Sequence, residues 1–307
     1  MNCSVVVPVY RGEETLVPLV ERLVRVLPSM SDAYEVILVN DGSPDGSWGV
    51  IEGLSRKYPW LRGINLMRNY GQENALLCGI RETQYDVIVT MDDDLQHDPD
   101  DLPKLTGKLA QGYSVVYGVP RVRRQVWWKA MLSALVKRAI SSVMGVRSVR
   151  DISPYKAFRA DLKRAFTSIN GPDVQIDVLL SWATTSFASV EIEEAPRSAG
   201  TSNYNLIKLI KVSLLVLTNY TTVPLRFASI LGFLFTALGI LALIYVLAVY
   251  FLEGSIPGFS FLASTVIIFS GVQLFALGII GEYLARIFGR SSGRPPYVIH
   301  GTTGSDS

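Results

Sequence analysis

Past about residue 205 this sequence stops reading like that of a water-soluble chain. Phe227 to Phe251 contains no charged residue, and a second uncharged stretch runs from Phe259 to Ile280, with Glu282 just beyond it. As helices, both are long enough to cross a hydrocarbon layer about 30 Å thick. The intervening Leu252–Gly258 (LEGSIPG) is short and holds Gly and Pro, so the two spans are expected to form a hairpin. Arg226 precedes the first span; Arg286, Arg290 and Arg294 follow the second, and the hairpin loop carries neither Lys nor Arg. The positive-inside rule then places both termini in the cytoplasm of a multi-pass inner (plasma) membrane protein. The expected boundaries are 227–251 and 259–284 for the spans and 285–307 for a cytoplasmic tail, of which Gly301–Ser307 (GTTGSDS) reads as disordered.

Immediately before the spans, Lys208 and Lys211 interrupt Leu206, Ile207, Leu209, Ile210, Leu214, Leu215 and Leu217. That amphipathic, basic pattern over 204–226 predicts juxtamembrane helices lying in the membrane interface. The other reading is a core helix of the soluble part.

Residues 1–203 read differently. Short apolar runs (3–9, 35–41, 62–67, 86–94, 113–118) alternate with helical patterns over Glu14–Leu27, Asp45–Tyr58, Gly71–Arg81 and Asp100–Gln111. This spacing predicts an α/β domain with a mostly parallel, Rossmann-like sheet covered on both faces. Ligands of such sheets bind beyond the carboxyl ends of the strands, where Tyr10, Asp41 and Asp92 to Asp94 fall. The N-terminus is a strand, not a signal peptide. Cys3 and Cys78, the two cysteines, have no metal or disulfide spacing and read as reduced and buried. A net charge of +2 makes no case for a nucleic-acid partner.

The chemistry concentrates at Met91-Asp92-Asp93-Asp94-Leu95-Gln96. Adjacent carboxylates repel one another, and burying them together is costly without a cation. A hard divalent ion removes that cost and bridges to substrate phosphates. In an extended segment Asp92 and Asp94 share a side and Asp93 faces away, which makes Asp92 and Asp94 the metal pair, with Gln96 as a third contact. A solvated acidic turn is the plainer reading. Asp41 either caps a turn or accepts from the N–H edge of a pyrimidine. Arg68 sits just before a helix N-terminus, where anions bind, unless this is an ordinary loop. Arg121, Arg123, Arg124, Lys129, Lys137 and Arg138, with Trp127 and Trp128 among them, form either a solvated face, a nucleic-acid patch or a lipid-phosphate site. The spans favour the last, and Lys129 and Ser133, four apart, share a helix face. Arg197, with Gly200 and Ser202, sits in a loop able to close over a diphosphate.

Taken in order, VVVPVY (5–10), VNDGSPDGS (39–47), LMRNYGQENALLCGI (66–80), MDDDLQHDP (91–99), RSAGTSNY (197–204), TTVPLRFASILG (221–232) and GEYLARIF (281–288) resemble glycosyltransferase family 2 with its GT-A fold. Within it they look most like the polyprenyl-phosphate glycosyltransferases, near the bactoprenol glucosyltransferases and undecaprenyl-phosphate aminoarabinose transferases. The resemblance implies inverting transfer of a sugar from a nucleotide-sugar, UDP-linked, to a polyprenyl (undecaprenyl) phosphate, with Mg²⁺ or Mn²⁺. It implies Pro8, Tyr10 and Asp41 at the base; Asp92, Asp94 and Gln96 at the metal and diphosphate; Arg197 over the donor diphosphate; and Arg121, Lys129 and Ser133 at the acceptor phosphate. Arg68 and Asp93 join the expected nucleotide-sugar contacts. Relatives suggest a homo-oligomer, a tetramer. Three departures stand out. Arg11-Gly12-Glu13-Glu14 replaces the usual Asn-Glu after Tyr10, Asn203 replaces a Lys in the closing loop, and Pro154 is the nearest match to an aspartate assigned as base in some members. Asp151 is the acid nearby, and with Asp92 and Asp94 completes the expected catalytic set. A lipid phosphate is already anionic, so positioning and charge neutralisation carry the rate, and a base is dispensable. The rival readings are a processive polysaccharide synthase, whose Gln-x-x-Arg-Trp motif is not matched at Gln125–Lys129, and a non-catalytic membrane scaffold.

Overall fold

The computed structural model describes residues 1–120, 152–167, 171, 174–193, 223–253 and 258–303. The chain divides into two compact units, Met1–Asn203 with Gly293–Ser307, and Tyr204–Ser292.

The first unit is an eight-stranded sheet. In chain order it runs β1 (Cys3–Val9), α1 (Leu16–Met30), β2 (Tyr34–Asn40), α2 (Ser47–Lys57), β3 (Leu61–Leu66), α3 (Gln72–Glu82), β4 (Val87–Thr90), α4 (Leu102–Ala110), β5 (Val115–Pro120) and β6 (Lys156–Arg159). A short helical turn at Arg164–Thr167, α5 (Ile176–Ala183), β7 (Phe187–Ile192) and, after the second unit, β8 (Ile299–Thr302) complete it. The spatial order is β7-β5-β6-β4-β1-β2-β3-β8. The pairs β1·β2, β1·β4, β2·β3 and β5·β7 are parallel. β6 lies antiparallel between β4 and β5.

The apolar runs are continuous while successive side chains point to opposite faces, which is why both faces are covered. Val5, Val7, Val9, Val36 and Leu38 face one buried cluster with α1, α2 and α4. Val6, Ile37, Val39 and Ile88 face the other with α3 and α5. Gly79 lets α3 sit close: a Cβ there would lie 2.4 Å from Val6 Cγ1. The chain winds from β1 to β3 in one direction and then crosses back to β4 on the other side of β1. The strand order therefore reverses at β1, and a crevice opens beyond the carboxyl ends of β1 and β4.

Two expectations are corrected. The strand expected over 86–94 ends at Thr90, because the acids that follow do not join the ladder. The segment 301–303, expected to be disordered, is ordered: β8 pairs antiparallel with β3, and Thr303 N donates to Gly63 O at 2.9 Å. Period and charge along seven polar residues carry no signal for pairing with a strand more than 200 residues earlier.

The second unit contains α6 (Val223–Glu253) and α7 (Phe259–Ser291). Both are long and apolar enough to cross a membrane. Phe233, Leu241, Phe251, Leu274 and Phe288 are exposed along them, the opposite of helices packed inside a soluble core. The two touch through Phe235 and Phe269, edge to face at 6.0 Å, with Gly239 against the Phe269 ring. Of the expected interfacial segment, residues 204–222 lie outside the described residues.

Candidate active site

At the crevice, three strand ends and one helix start converge. Pro8, Val9 and Tyr10 close β1, Asp41 follows β2, and Asp92 to Asp94 follow β4. Asn69, Gly71 and Gln72 come from the loop between β3 and α3. Together they line a cleft of about 280 Å³.

The acidic run is not extended, so the alternation expected of it does not hold: Asp93 lines the cleft together with Asp92 and Asp94. Each acid is held by a different donor. Gln72 Nε2 donates to Asp92 Oδ1 at 2.7 Å, and Tyr10 N to Asp93 Oδ2 at 3.4 Å. Gln96 donates to both oxygens of Asp94, from its backbone N at 3.1 Å and its Nε2 at 2.6 Å. The Gln96 amide thus orients Asp94. Gly12 packs against the run: a Cβ there would lie 2.5 Å from Asp93 Oδ2 and push that carboxylate aside. Among the described residues, Arg11 and Leu95 are the non-glycine positions with positive φ, both 60°. Each directly follows a cleft residue, in a backbone region that costs on the order of 1 kcal/mol.

Burial and mutual repulsion act on the acids as electrostatics requires. Burial first, then the Asp94 and Asp93 charges, push the Asp92 carboxyl up to about 7; burial first likewise pushes Asp93 up to about 7. A cation at the run would relieve that cost. Among the described residues no three acid, imidazole or thiolate groups converge to enclose an ion. The carboxylate oxygens are hard donors of the kind Mg²⁺ or Mn²⁺ takes, and a phosphate and water would have to complete the shell.

Asp41, 3% exposed, accepts from Tyr70 N at 2.7 Å and from Gly71 N at 2.9 Å. It ties the β3–α3 loop to the end of β2, although burial raises its pKa. Gly42 (φ 60°) packs on the same loop: a Cβ would lie 2.4 Å from the Arg68 carbonyl carbon. The Arg68 side chain is exposed and stacks over Tyr70 at 4.6 Å, and it is not among the cleft-lining residues. Tyr10, 46% exposed, stands at the rim with the Arg11 guanidinium over its ring at 5.5 Å. Glu13, not Glu14, reaches back into the framework, accepting from Gly46 N at 2.9 Å.

Behind Asp92 lies a buried charged group that sequence reading missed. Lys156, 1% exposed, pairs with Asp177, which also accepts from Tyr117 OH at 3.0 Å. Glu73, next to Gln72, accepts from Ile176 N at 2.8 Å at the start of α5, and burial raises its pKa. These residues are scattered over four elements and carry no shared local pattern. Gln72 was visible in Arg68–Gln72, but its contact with Asp92 was not. Arg121, Lys129, Ser133, Asp151 and Arg197 lie outside the described residues.

Residues 4–165 match the profile of Glycosyl transferase family 2. The chain is 33% identical over 300 residues to an undecaprenyl-phosphate 4-deoxy-4-formamido-L-arabinose transferase of Shewanella sediminis, covering 96% of this chain and 91% of that one. A protein of the same name from Proteus mirabilis is 32% identical over 306 residues, covering 98% and 94%. Among solved structures, glucosyl-3-phosphoglycerate synthase from Mycobacterium tuberculosis, bound to Mn²⁺ and UDP-glucose, shares the fold. Its TM-score is 0.52 and its identity 20%, over 71% of this chain and 77% of that one.

Proposed function

Because the chain belongs to glycosyltransferase family 2, with a GT-A catalytic domain, we propose that it transfers a sugar from a nucleotide-sugar to undecaprenyl phosphate or a like polyprenyl phosphate. The observation that carries this reading is the set of three carboxylates at the strand-order reversal, costly to keep charged there without a divalent ion. The names of the full-length relatives support the lipid acceptor. The two apolar helices support a site of action at a membrane, and Arg226, Arg286, Arg290 and Arg294 flanking the two uncharged stretches favour the catalytic domain and both termini on the cytoplasmic side. UDP is the favoured nucleotide, supported by the ligand of the M. tuberculosis neighbour.

In this reading Pro8, Tyr10 and Asp41 border the base. Asp92 and Asp94 hold Mg²⁺ or Mn²⁺ with the donor diphosphate, and Asp93 lies alongside. When bound, the ion supplies Lewis-acid stabilisation to the departing diphosphate. The chain's own residues do the rest. Gln72 and Gln96 fix the orientation of Asp92 and Asp94, so no carboxylate has to reorganise during the reaction. Asp41 keeps the β3–α3 loop closed on the donor. The acceptor phosphate oxygen, anionic near neutral pH, attacks the anomeric carbon in line as the C–O bond to the diphosphate breaks, inverting that centre. No residue has to take a proton, which fits Pro154 in place of an acid. Arg121, Lys129 and Ser133 are proposed for the acceptor phosphate, Arg197 and Arg68 for the donor, and Asp151 as the nearby acid. A homotetramer is the proposed assembly.

The test is transfer of radiolabel from UDP-sugars to undecaprenyl phosphate in membranes bearing the chain, with and without EDTA. EDTA-sensitive label in the organic-extractable lipid is expected. Label in an insoluble polymer, or no transfer from any nucleotide-sugar, overturns the reading.

A further inference from the structure

The strand β8 reaches the sheet only after the chain has run through both apolar helices, and where it docks bears on the cleft. β3 leads directly into the Arg68–Gln72 loop, and α3 leads directly out of it. Residues 296–303 grip both. On the strand side, Met67 N donates to Val298 O at 2.9 Å, one residue before the loop. Further along β3, Leu66 pairs with Ile299, Asn65 with Gly301 and Ile64 with Thr302. Gly63 N donates to Thr303 Oγ1 at 2.7 Å. On the helix side, Pro296 is buried and the Tyr297 ring packs on the cluster that holds Ala75 to Ile80 of α3. Arg81 of α3 donates to Tyr297 OH at 3.4 Å, lies over its ring at 5.8 Å, and also donates to Phe166 O at 2.7 Å.

The loop held between these two anchors makes three contacts that shape the cleft. Tyr70 N and Gly71 N bind Asp41, and Gln72 Nε2 binds Asp92. A loop whose entering strand is an unpaired sheet edge has few constraints on that side, since edge strands fray and their amides exchange readily. Pairing removes that freedom without placing any group of β8 in the cleft.

We propose that residues 296–303 are positioning residues for the nucleotide-sugar: by holding β3 and α3 together they fix the Arg68–Gln72 loop, and through it the carboxylates of Asp41 and Asp92. This rests on the reading of the cleft as the donor site. It makes the apolar hairpin an insertion between two parts of the catalytic sheet, so the segment leaving the second span completes the site that the first 200 residues begin.

Two variants test it in the full membrane-anchored protein in detergent: a chain ended at Gly293, with both apolar helices kept, and Tyr297→Ala. Amide hydrogen exchange at Tyr70 and Gly71 is the first readout. It is expected to quicken about tenfold or more in both variants, while Val6 and Val39 in the central strands stay as protected as before. The second readout is steady-state transfer. The donor KM is expected to rise about fivefold or more, with any fall in kcat smaller than that rise, because a loosened loop costs donor binding first. A peptide of residues 294–307 added to the shortened chain is expected to restore both. Unchanged exchange at Tyr70 and Gly71 in Tyr297→Ala overturns the proposal, and so does a fall in kcat with KM unmoved, which marks a purely structural role. If the shortened chain does not fold, the Tyr297→Ala exchange decides. If the intact chain binds no nucleotide-sugar, the reading of the cleft fails, while the exchange comparison still decides whether these residues fix the loop.

Discussion

At the scale of single residues the protein is organised around acids that repel one another. Asp92 and Asp93 are pushed from the ordinary 3.8 up to about 7, by burial before anything else. A raised carboxylate pKa means that the folded chain binds protons the unfolded chain has released. The corresponding stability is fully present below the unfolded value near 4 and is lost as pH rises through about 7. Without metal, the unfolding temperature is expected to fall between about pH 5 and about pH 8, and millimolar Mn²⁺ or Mg²⁺ to flatten that fall. Differential scanning fluorimetry across pH, with and without EDTA, checks it. Asp92→Asn is expected to lower transfer about a hundredfold or more at saturating metal, because it removes a carboxylate charge that would hold the ion on the departing diphosphate. Gln72→Ala leaves that charge in place and only frees its orientation. Its expected cost is about tenfold, read mainly as weaker metal affinity in a Mn²⁺ titration of activity. Of these two residues, Asp92 was legible as one of three consecutive acids behind a hydrophobic strand. Gln72 was not, because its role exists only once the start of α3 is brought against the end of β4.

At the scale of elements, close approach decides what the sheet tolerates. Gly79 puts the backbone of α3 against Val6 and Val39, and Gly42 puts the turn after β2 against the Arg68–Asn69 backbone. Gly79→Val is expected to cost about 2 kcal/mol or more, since overpacking at a rigid helix–sheet contact outweighs any gain in helix propensity. Chemical unfolding of the protein measures it. The continuous apolar runs located β1, β2, β3 and β5 to within two residues at each end, because a sheet covered on both faces demands apolar side chains at consecutive positions. They overran β4 by four residues, since an apolar run ending in acids looks like one longer strand. They gave no hint of β6, whose Lys156 is a charged residue at a fully buried position. The Asp177 carboxylate, supplied by a helix 21 residues later, makes that burial tolerable together with the nearby Glu73 and Asp92 charges.

At the scale of the whole molecule, two helices long and apolar enough to cross a membrane lie in the chain between the first seven strands of the catalytic sheet and the last. The proposed orientation makes a direct prediction. Cys3 and Cys78 are buried, and burial pushes both thiols up to about 12, so neither should react with maleimides in the folded protein. A cysteine introduced by Ser255→Cys is expected to label with an impermeant maleimide in intact cells, and one introduced by Ser292→Cys only after permeabilisation. The opposite pattern inverts the topology.

The sequence by itself determined that one part of this chain is an α/β domain with acids at its strand ends and that the other is two helices built on long uncharged stretches, because periodicity and charge are local properties of consecutive residues. Tertiary structure alone decided that Asp93 turns into the cleft, that Asp41 is spent on the Tyr70 and Gly71 amides, that Lys156 lies among acids, and that residues 299–302 become the last strand of the sheet. Each of these depends on groups distant in the chain meeting at one place, where the cost of burying a polar atom is offset only by the partner found there.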